Sequence, residues 1–251
     1  GLKKSMNLIS VRMVQELVPA EVVASMAERM NLTTSIRAVD AIALGTSEVY
    51  PLEITSAYAT YSNNGVWCKP IAINRIVDRF GATIKEYSPR REEVLSEETA
   101  YLVTDLLQSV VDNGTGGSAR WKYKFTHPAG GKTGTTQNWT DAWFVGFSPK
   151  IAAGVWFGVD DPKVSLGVNQ SGSRAALPVW AKFMKAAHDS MGWKPEKFIK
   201  PDGISTQKIC RISKLLPIRN CPVENEIFIT KYSPSQKCKV HTDGSSRRDR
   251  N

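Results

Sequence analysis

No apolar run in this chain approaches the roughly 18–20 residues that a membrane-spanning helix needs. That excludes a helical anchor within these residues. Acidic residues are also short: 24 Asp and Glu against 33 Lys and Arg leave a net charge of +9. Such a balance suits nucleic acid, an anionic membrane or an acidic polymer. Nucleic acid is not expected as a partner, because there is no zinc-finger spacing and no RNP-type aromatic segment. The basic cluster GSSRRDRN at the carboxyl end reads as a solvated terminus. Cysteine is scarce, with four residues in all. Cys68 stands alone, while Cys210, Cys221 and Cys238 gather late, with His241 three residues after the last. The C-x2-C pairs of zinc sites are missing, so no metal is expected. One disulfide among the late three is expected in an oxidising compartment, with the pairing open. The chain begins at Gly1 rather than Met and carries no leader, so targeting information is expected upstream.

A phosphate-binding loop is absent as well, although GGKTGTTQNWTDAWFVGF (130–147) contains a Gly-Lys-Thr. That loop needs a glycine five residues before the Gly-Lys pair, and Thr126 stands there. The residues that follow are rich in Trp, Phe and Val, and Ser148-Pro149-Lys150 separates them from a second β-type run, 151–159. Lys132-Thr133-Gly134 therefore belongs to a strand entering a β-meander.

The rest of the chain reads as helices followed by sheet. Val14, Leu17 and Val18, then Val22, Val23, Met26, Ala27 and Met30, recur at helical spacing, with Pro19 between two helices. Pro51 opens a third helix that runs to Tyr61 and stops at Asn63-Asn64-Gly65. Residues 71–80 read as a strand, turned at Gly81-Ala82 into a partner over 83–87. Ser96 caps a long helix with the stripe Val103, Leu106, Leu107, Val110 and Val111, ended by a flexible loop, NGTGGS (113–118). Residues 175–188 form a helix able to cover the sheet. Beyond Met191 the pattern thins into an irregular extension. The fold class is α+β, an antiparallel sheet flanked by helices, with residues 1–190 as the major part of one domain and 191–251 as the extension.

Lys-Thr-Gly on a strand has a chemical meaning beside its bland one of a strand that merely carries Lys and Thr. The ammonium offers a fixed positive charge to an anionic substrate, and threonine hydroxyls donate to a carboxylate. Glycine lets substrate backbone approach the strand edge. A strand N–H can face a developing oxyanion. A tripeptide of this kind occurs by chance in roughly one chain in twenty of this length, so context decides. Ser5-Met6-Asn7 supplies a Ser-x-Asn element at a helix start, though capping of a helix beginning at Leu8 explains the same letters. A Ser-x-x-Lys element, which would carry a nucleophile and its base, occurs only at Ser205-Thr206-Gln207-Lys208. That match lies in the irregular extension after Lys132 and is set aside, so the nucleophile is missing.

These residues resemble the transpeptidase domain of class A penicillin-binding proteins, the bifunctional peptidoglycan synthases. LKKSMNLISVRMVQEL looks like the family's Ser-x-Asn segment and helix; ALGTSEVYPLEITSAYATYSNNG, GGKTGTTQNWTDAWFVGFSP, GVWFGVDD and AALPVWAKFM are also similar. The resemblance covers residues 1 to about 188, and KICRISKLLPIRNCP resembles some members' extensions more loosely. It implies a penicillin-binding, serine-transpeptidase-like fold and a D,D-transpeptidase that cross-links peptidoglycan stem peptides through a serine acyl-enzyme. Ser5 would relay protons and Asn7 would hold the substrate amide. Lys132 would hold positive charge, and Thr133, Gly134 and Thr135 would bind substrate, with the Thr135 N–H in the oxyanion hole. β-Lactams would acylate the same serine. No metal or organic cofactor is implied. The nucleophilic serine and a glycosyltransferase domain would belong to an upstream segment of the same protein. That segment would anchor the chain at the outer, periplasmic face of the cytoplasmic membrane in a bacterial envelope. Two other readings stand beside this one: a D,D-carboxypeptidase or β-lactamase-type hydrolase, and a non-catalytic penicillin- or peptidoglycan-binding module.

Overall fold

The computed structural model describes residues 1–161 and 163–242. The basic tail read at 244–251 lies outside the described residues. Two compact units divide the chain, Gly1–Phe198 and Ile199–Asn251.

The first unit opens with a 3-10 turn, Leu2–Lys4, and two helices, α1 (Asn7–Glu16) and α2 (Ala20–Arg29). Pro19 is the N-cap residue of α2, as a fixed φ and a missing N–H favour at a helix start. The apolar stripe is only partly covered: Leu17 is 73% and Val22 53% exposed. Helix α3 (Pro51–Ser62) begins on its proline and ends where Asn64 and Gly65 take left-handed φ.

Strand β1 (Val66–Cys68) follows, then β2 (Arg75–Val77) and β3 (Thr83–Glu86), then β4 (Arg91–Glu93). β1 pairs with β4, and β2 with β3, both antiparallel. The strand expected over 71–80 is thus only three residues long. The Asp78 carboxylate accepts the N–H groups of Phe80 (2.8 Å) and Ala82 (2.9 Å) and turns the chain early. Every residue of β2 and β3 is exposed, so no buried face extends the pairing.

Helix α4 (Glu97–Asn113) starts at Ser96, whose Oγ accepts the Thr99 N–H. The NGTGGS segment after it is turned rather than flexible. The Gly116 N–H donates to Val110 O and the Gly117 N–H to Gly114 O, and a short helix α5 (Ser118–Trp121) continues. Three strands then form one antiparallel sheet in the order β5 (Gly130–Thr135), β6 (Ala142–Phe147), β7 (Ala152–Phe157). The β6–β7 turn is the expected Ser148-Pro149-Lys150, closed by the Ser148 N–H on Ile151 O. Helix α6 (Ala176–Ser190) buries Leu177, Trp180 and Met184 with Phe144 and Phe125 in the main core.

The second unit is more regular than the sequence implies. Strands β8 (Ile204–Cys210) and β9 (Val223–Ile229) pair antiparallel over their whole length. The expected disulfide is not formed: Cys68, Cys210, Cys221 and Cys238 all carry free thiols. Among the described residues no helix is long and apolar enough to cross a membrane.

Candidate active site

Strand β5 carries Lys132, Thr133, Gly134 and Thr135 in register with Val145, Phe144, Trp143 and Ala142 of β6. The strand lies close under α4: a Cβ at Gly130 would stand 3.0 Å from that of Leu107. Glycine here lets the helix and strand meet and fixes the height of Lys132.

Lys132 donates from Nζ to Ser5 Oγ (2.8 Å) and to Thr133 O (2.9 Å). Both acceptors are neutral. Among the described residues no carboxylate forms an ion pair with Lys132. Burial pushes its pKa below the usual lysine value. A half-buried ammonium without a counter-charge is a seat for an anion, and a carboxylate fits it.

Ser5 closes the 3-10 turn in a left-handed conformation (φ 52°, ψ 49°). That is unusual for a residue with a Cβ, and it is held by the structure around it. The Ser5 N–H donates to Leu2 O, and Lys3 O accepts the Thr115 N–H at 3.3 Å. Thr115 Oγ1 in turn lies 2.9 Å from Thr133 Oγ1. The turn before α1, the turn after α4 and strand β5 are therefore laced together around Lys132. Asn7 is the first residue of α1 and is exposed. The capping alternative is not realised, since the N-cap residue is Met6 and no side chain caps the helix.

Thr135 ends the strand, exposed, and its Oγ1 accepts the Gly172 N–H (3.0 Å). Its hydroxyl hydrogen is thus free to donate outward, as a carboxylate ligand requires. Gly172 has no room for a side chain: a Cβ there would overlap the carbonyl oxygens of Trp143 and Gly134. We expect Gly172→Ala to force these strands apart, with a cost of about 1–3 kcal/mol. A lowered unfolding temperature together with slower penicillin labelling checks this; a change in neither contradicts it.

Sequence reading missed Thr115 and Gly172. Thr115 had a signal, a hydroxyl residue between glycines directly after a long helix, but it was read only as loop. Gly172 had none, because its role depends on a segment folding back onto β5. The Ser205-to-Lys208 match lies on β8, where residues three apart point to opposite faces. Ser205 Oγ lies 2.9 Å from Ser233 Oγ.

Residues 3–185 match the family described as the penicillin binding protein transpeptidase domain. The chain belongs to that family. Residues 200–243 match a second one, the penicillin-binding protein 1A C-terminal domain. Penicillin-binding protein 1A of Aquifex aeolicus is 42% identical over 185 residues, which are 74% of this chain and 25% of that protein. Penicillin-binding protein 1A of Clostridium tetani is 34% identical over 258 residues, covering 96% of this chain and 32% of that protein. The chain thus spans a quarter to a third of the length of these curated relatives. The crystal structure of penicillin-binding protein 1A from Haemophilus influenzae superposes with a TM-score of 0.87 at 25% identity, covering 95% of this chain and 40% of that one. The fold also matches PonA1 of Mycobacterium tuberculosis, solved in complex with penicillin V, with a TM-score of 0.64 at 23% identity over 76% of this chain and 55% of that one. The penicillin-binding, α+β fold expected from the pattern of helices and strands and from the resemblance is therefore the fold of this chain.

Proposed function

We propose that this penicillin-binding protein chain forms most of the active site of a serine-type D,D-transpeptidase that cross-links peptidoglycan stem peptides, its nucleophilic serine coming from a segment upstream. One observation carries the reading: Lys132 Nζ reaches Ser5 Oγ at 2.8 Å across 127 residues of sequence. That distance joins two of the three expected elements in one site.

The geometry supports the following roles. The upstream serine oxygen attacks the carbonyl of the penultimate D-alanine, its proton passing to an upstream lysine. The terminal D-alanine leaves as an amine after gaining a proton. Ser5 accepts a hydrogen bond from Lys132, so its own hydroxyl hydrogen is free to move toward that leaving amine. Lys132 keeps the proton path and the substrate carboxylate in a positive field. Thr133 and Thr135 donate to the carboxylate, Gly134 lets the substrate backbone lie on the strand edge, and the Thr135 N–H faces the oxyanion. Asn7, exposed beside Ser5, holds the substrate amide. The amine of a neighbouring stem peptide then attacks the ester, and the serine regains its proton. A β-lactam acylates the same serine.

In this reading residues 1–190 are the major part of the transpeptidase domain and 191–251 its extension. The chain works at the outer face of the cytoplasmic membrane, held there by the upstream segment that also carries a glycosyltransferase domain. The exposed face of α1 supports a missing covering segment: Ile9, Met13 and Leu17, four residues apart, are 38%, 50% and 73% exposed.

Intact mass after incubation with a penicillin tests the reading, on the full-length protein that carries this chain. A single penicilloyl adduct on a serine upstream of Gly1 is expected. An adduct on Ser5 or Ser205 would relocate the nucleophile, and saturable binding with no adduct would favour the non-catalytic module. Release of penicilloate at a rate matching acylation would favour the hydrolase.

A further inference from the structure

Cys210, Cys221, Cys238 and His241 bring their four ligand atoms within 4.8 Å of one another. The chain assembles them from separate places. Cys210 ends β8 opposite Val223, and Cys221 lies two residues before β9. Cys238 is set by its N–H on Leu216 O, and His241 follows at C-x2-H spacing. That short pair is the metal signal that a search for C-x2-C alone passes over.

The distances have the form of a coordination shell. His241 Nδ1 is 3.2 Å from Cys238 Sγ, 3.4 Å from Cys221 Sγ and 3.6 Å from Cys210 Sγ, and Cys210 Sγ is 3.7 Å from Cys238 Sγ. A tetrahedron drawn with ordinary zinc–sulfur and zinc–nitrogen bonds has edges of about 3.8 Å between sulfurs and about 3.6 Å from sulfur to nitrogen. Backbone N–H groups point at the sulfurs: Ile218 donates to Cys221 Sγ (3.3 Å) and Val240 to Cys238 Sγ (3.4 Å). Such donors stabilise thiolates and orient them toward a metal. Cys210 and Cys238 are buried, Cys221 and His241 half-buried, so the cluster is closed on one side and its ligands converge inward.

The size of the unit gives an independent reason. Ile199–Asn251 is about fifty residues, a length at which an apolar core alone is seldom sufficient. Its buried apolar residues, among those described, are Pro201, Ile204, Ile209, Cys210 and Cys238. Two of the five belong to the cluster. Disulfides and structural metals are among the devices that hold units of this size, and the thiols here are free.

We propose that Cys210, Cys221, Cys238 and His241 bind one structural zinc ion that holds the second unit together. Three thiolates and an imidazole select zinc among common cations, and four protein ligands leave no open position for catalysis. Binding displaces the thiol protons to solvent and changes no oxidation state.

The test uses the full-length protein that carries this chain, purified without a histidine tag. Elemental analysis is expected to find one zinc per chain. Replacement by cobalt(II) is expected to give the thiolate charge-transfer bands and strong visible absorption of a tetrahedral site. Cys221→Ser and Cys238→Ser are expected to lower the zinc content to near zero, while Cys68→Ser leaves it unchanged. A chelator should lower the unfolding temperature of the wild type and not that of Cys238→Ser. A metal-free chain whose mass is lower by two hydrogens, showing a disulfide among the late cysteines, overturns the proposal. So does a metal-free chain with all thiols reduced, or zinc that persists in both serine variants. The wild-type cobalt spectrum decides the matter even if a variant fails to fold.

Discussion

Replacing Lys132 by alanine in the full-length protein is expected to slow acylation by penicillin about 100-fold or more, the scale of losing one preorganised electrostatic group at a site of developing charge. The substitution removes the hydrogen bond to Ser5 Oγ at 2.8 Å and with it the positive field at the strand edge. Folding should survive. Lys132 is half-buried, and its depressed pKa shows that holding the charge there costs the folded state rather than stabilising it. An unchanged unfolding temperature with lost labelling is the expected pair of results. Unchanged labelling kinetics would remove Lys132 from the mechanism.

The same pKa shift fixes a pH dependence. The charged form of Lys132 is the one that attracts a carboxylate. Acylation should therefore be full below the folded-state pKa and fall as pH rises through it, giving an alkaline limb below 10.5, the unperturbed value. Stability runs the other way. Burial disfavours the proton in the folded state, so this residue's unfavourable contribution is complete while both states are protonated, and it is relieved as pH climbs from the folded pKa toward 10.5. Activity and stability should thus diverge in that window. Lys132→Arg, charged throughout, should acylate more slowly but without that limb. A limb that persists in the arginine variant assigns it to another group.

The helices and the catalytic sheet were legible because each announces itself locally. Ser96 caps α4, Pro51 opens α3, Asn63-Asn64-Gly65 ends it, and Ser148-Pro149-Lys150 turns β6 into β7. Lys132 was legible as a cation that leads into two threonines on a strand. Its contact with Ser5 followed from no local pattern and came only from the order of motifs in the resembled family. The parts that were not legible depend on non-local partners. β8 and β9 face each other across a twelve-residue connection without a clear alternation, because their buried positions are few: Ile204, Ile209 and Cys210 on β8. Thr115 matters only because Lys3, near the start of the unit, and Thr133, on β5, both come to it. The convergence of Cys210, Cys221, Cys238 and His241 from three separate segments is a property of the tertiary fold that their spacing does not announce.

Trp180→Ala is expected to lower the unfolding free energy of the first unit by about 3–5 kcal/mol, a large share of the roughly 5–15 kcal/mol that holds a typical domain together. Trp180 is fully buried on α6, its ring 4.7 Å from that of Phe144 and 5.6 Å from that of Phe125. Its indole N–H donates to Gly146 O at 3.3 Å. Truncation leaves a cavity against β6 and removes the indole hydrogen bond to the Gly146 carbonyl. The damage should reach the site as well, because Gly146 pairs with Gly131 and the adjacent Val145 with Lys132. Denaturant unfolding and penicillin labelling should therefore both suffer. Trp180→Phe keeps much of the ring packing and loses the hydrogen bond, so a smaller cost, about 1–2 kcal/mol, is expected. Trp121, 68% exposed, is the comparison: its alanine variant should stay within about 0.5 kcal/mol of wild type. If Trp121→Ala cost as much as Trp180→Ala, burial of the ring between α6 and β6 would not be the cause of the loss.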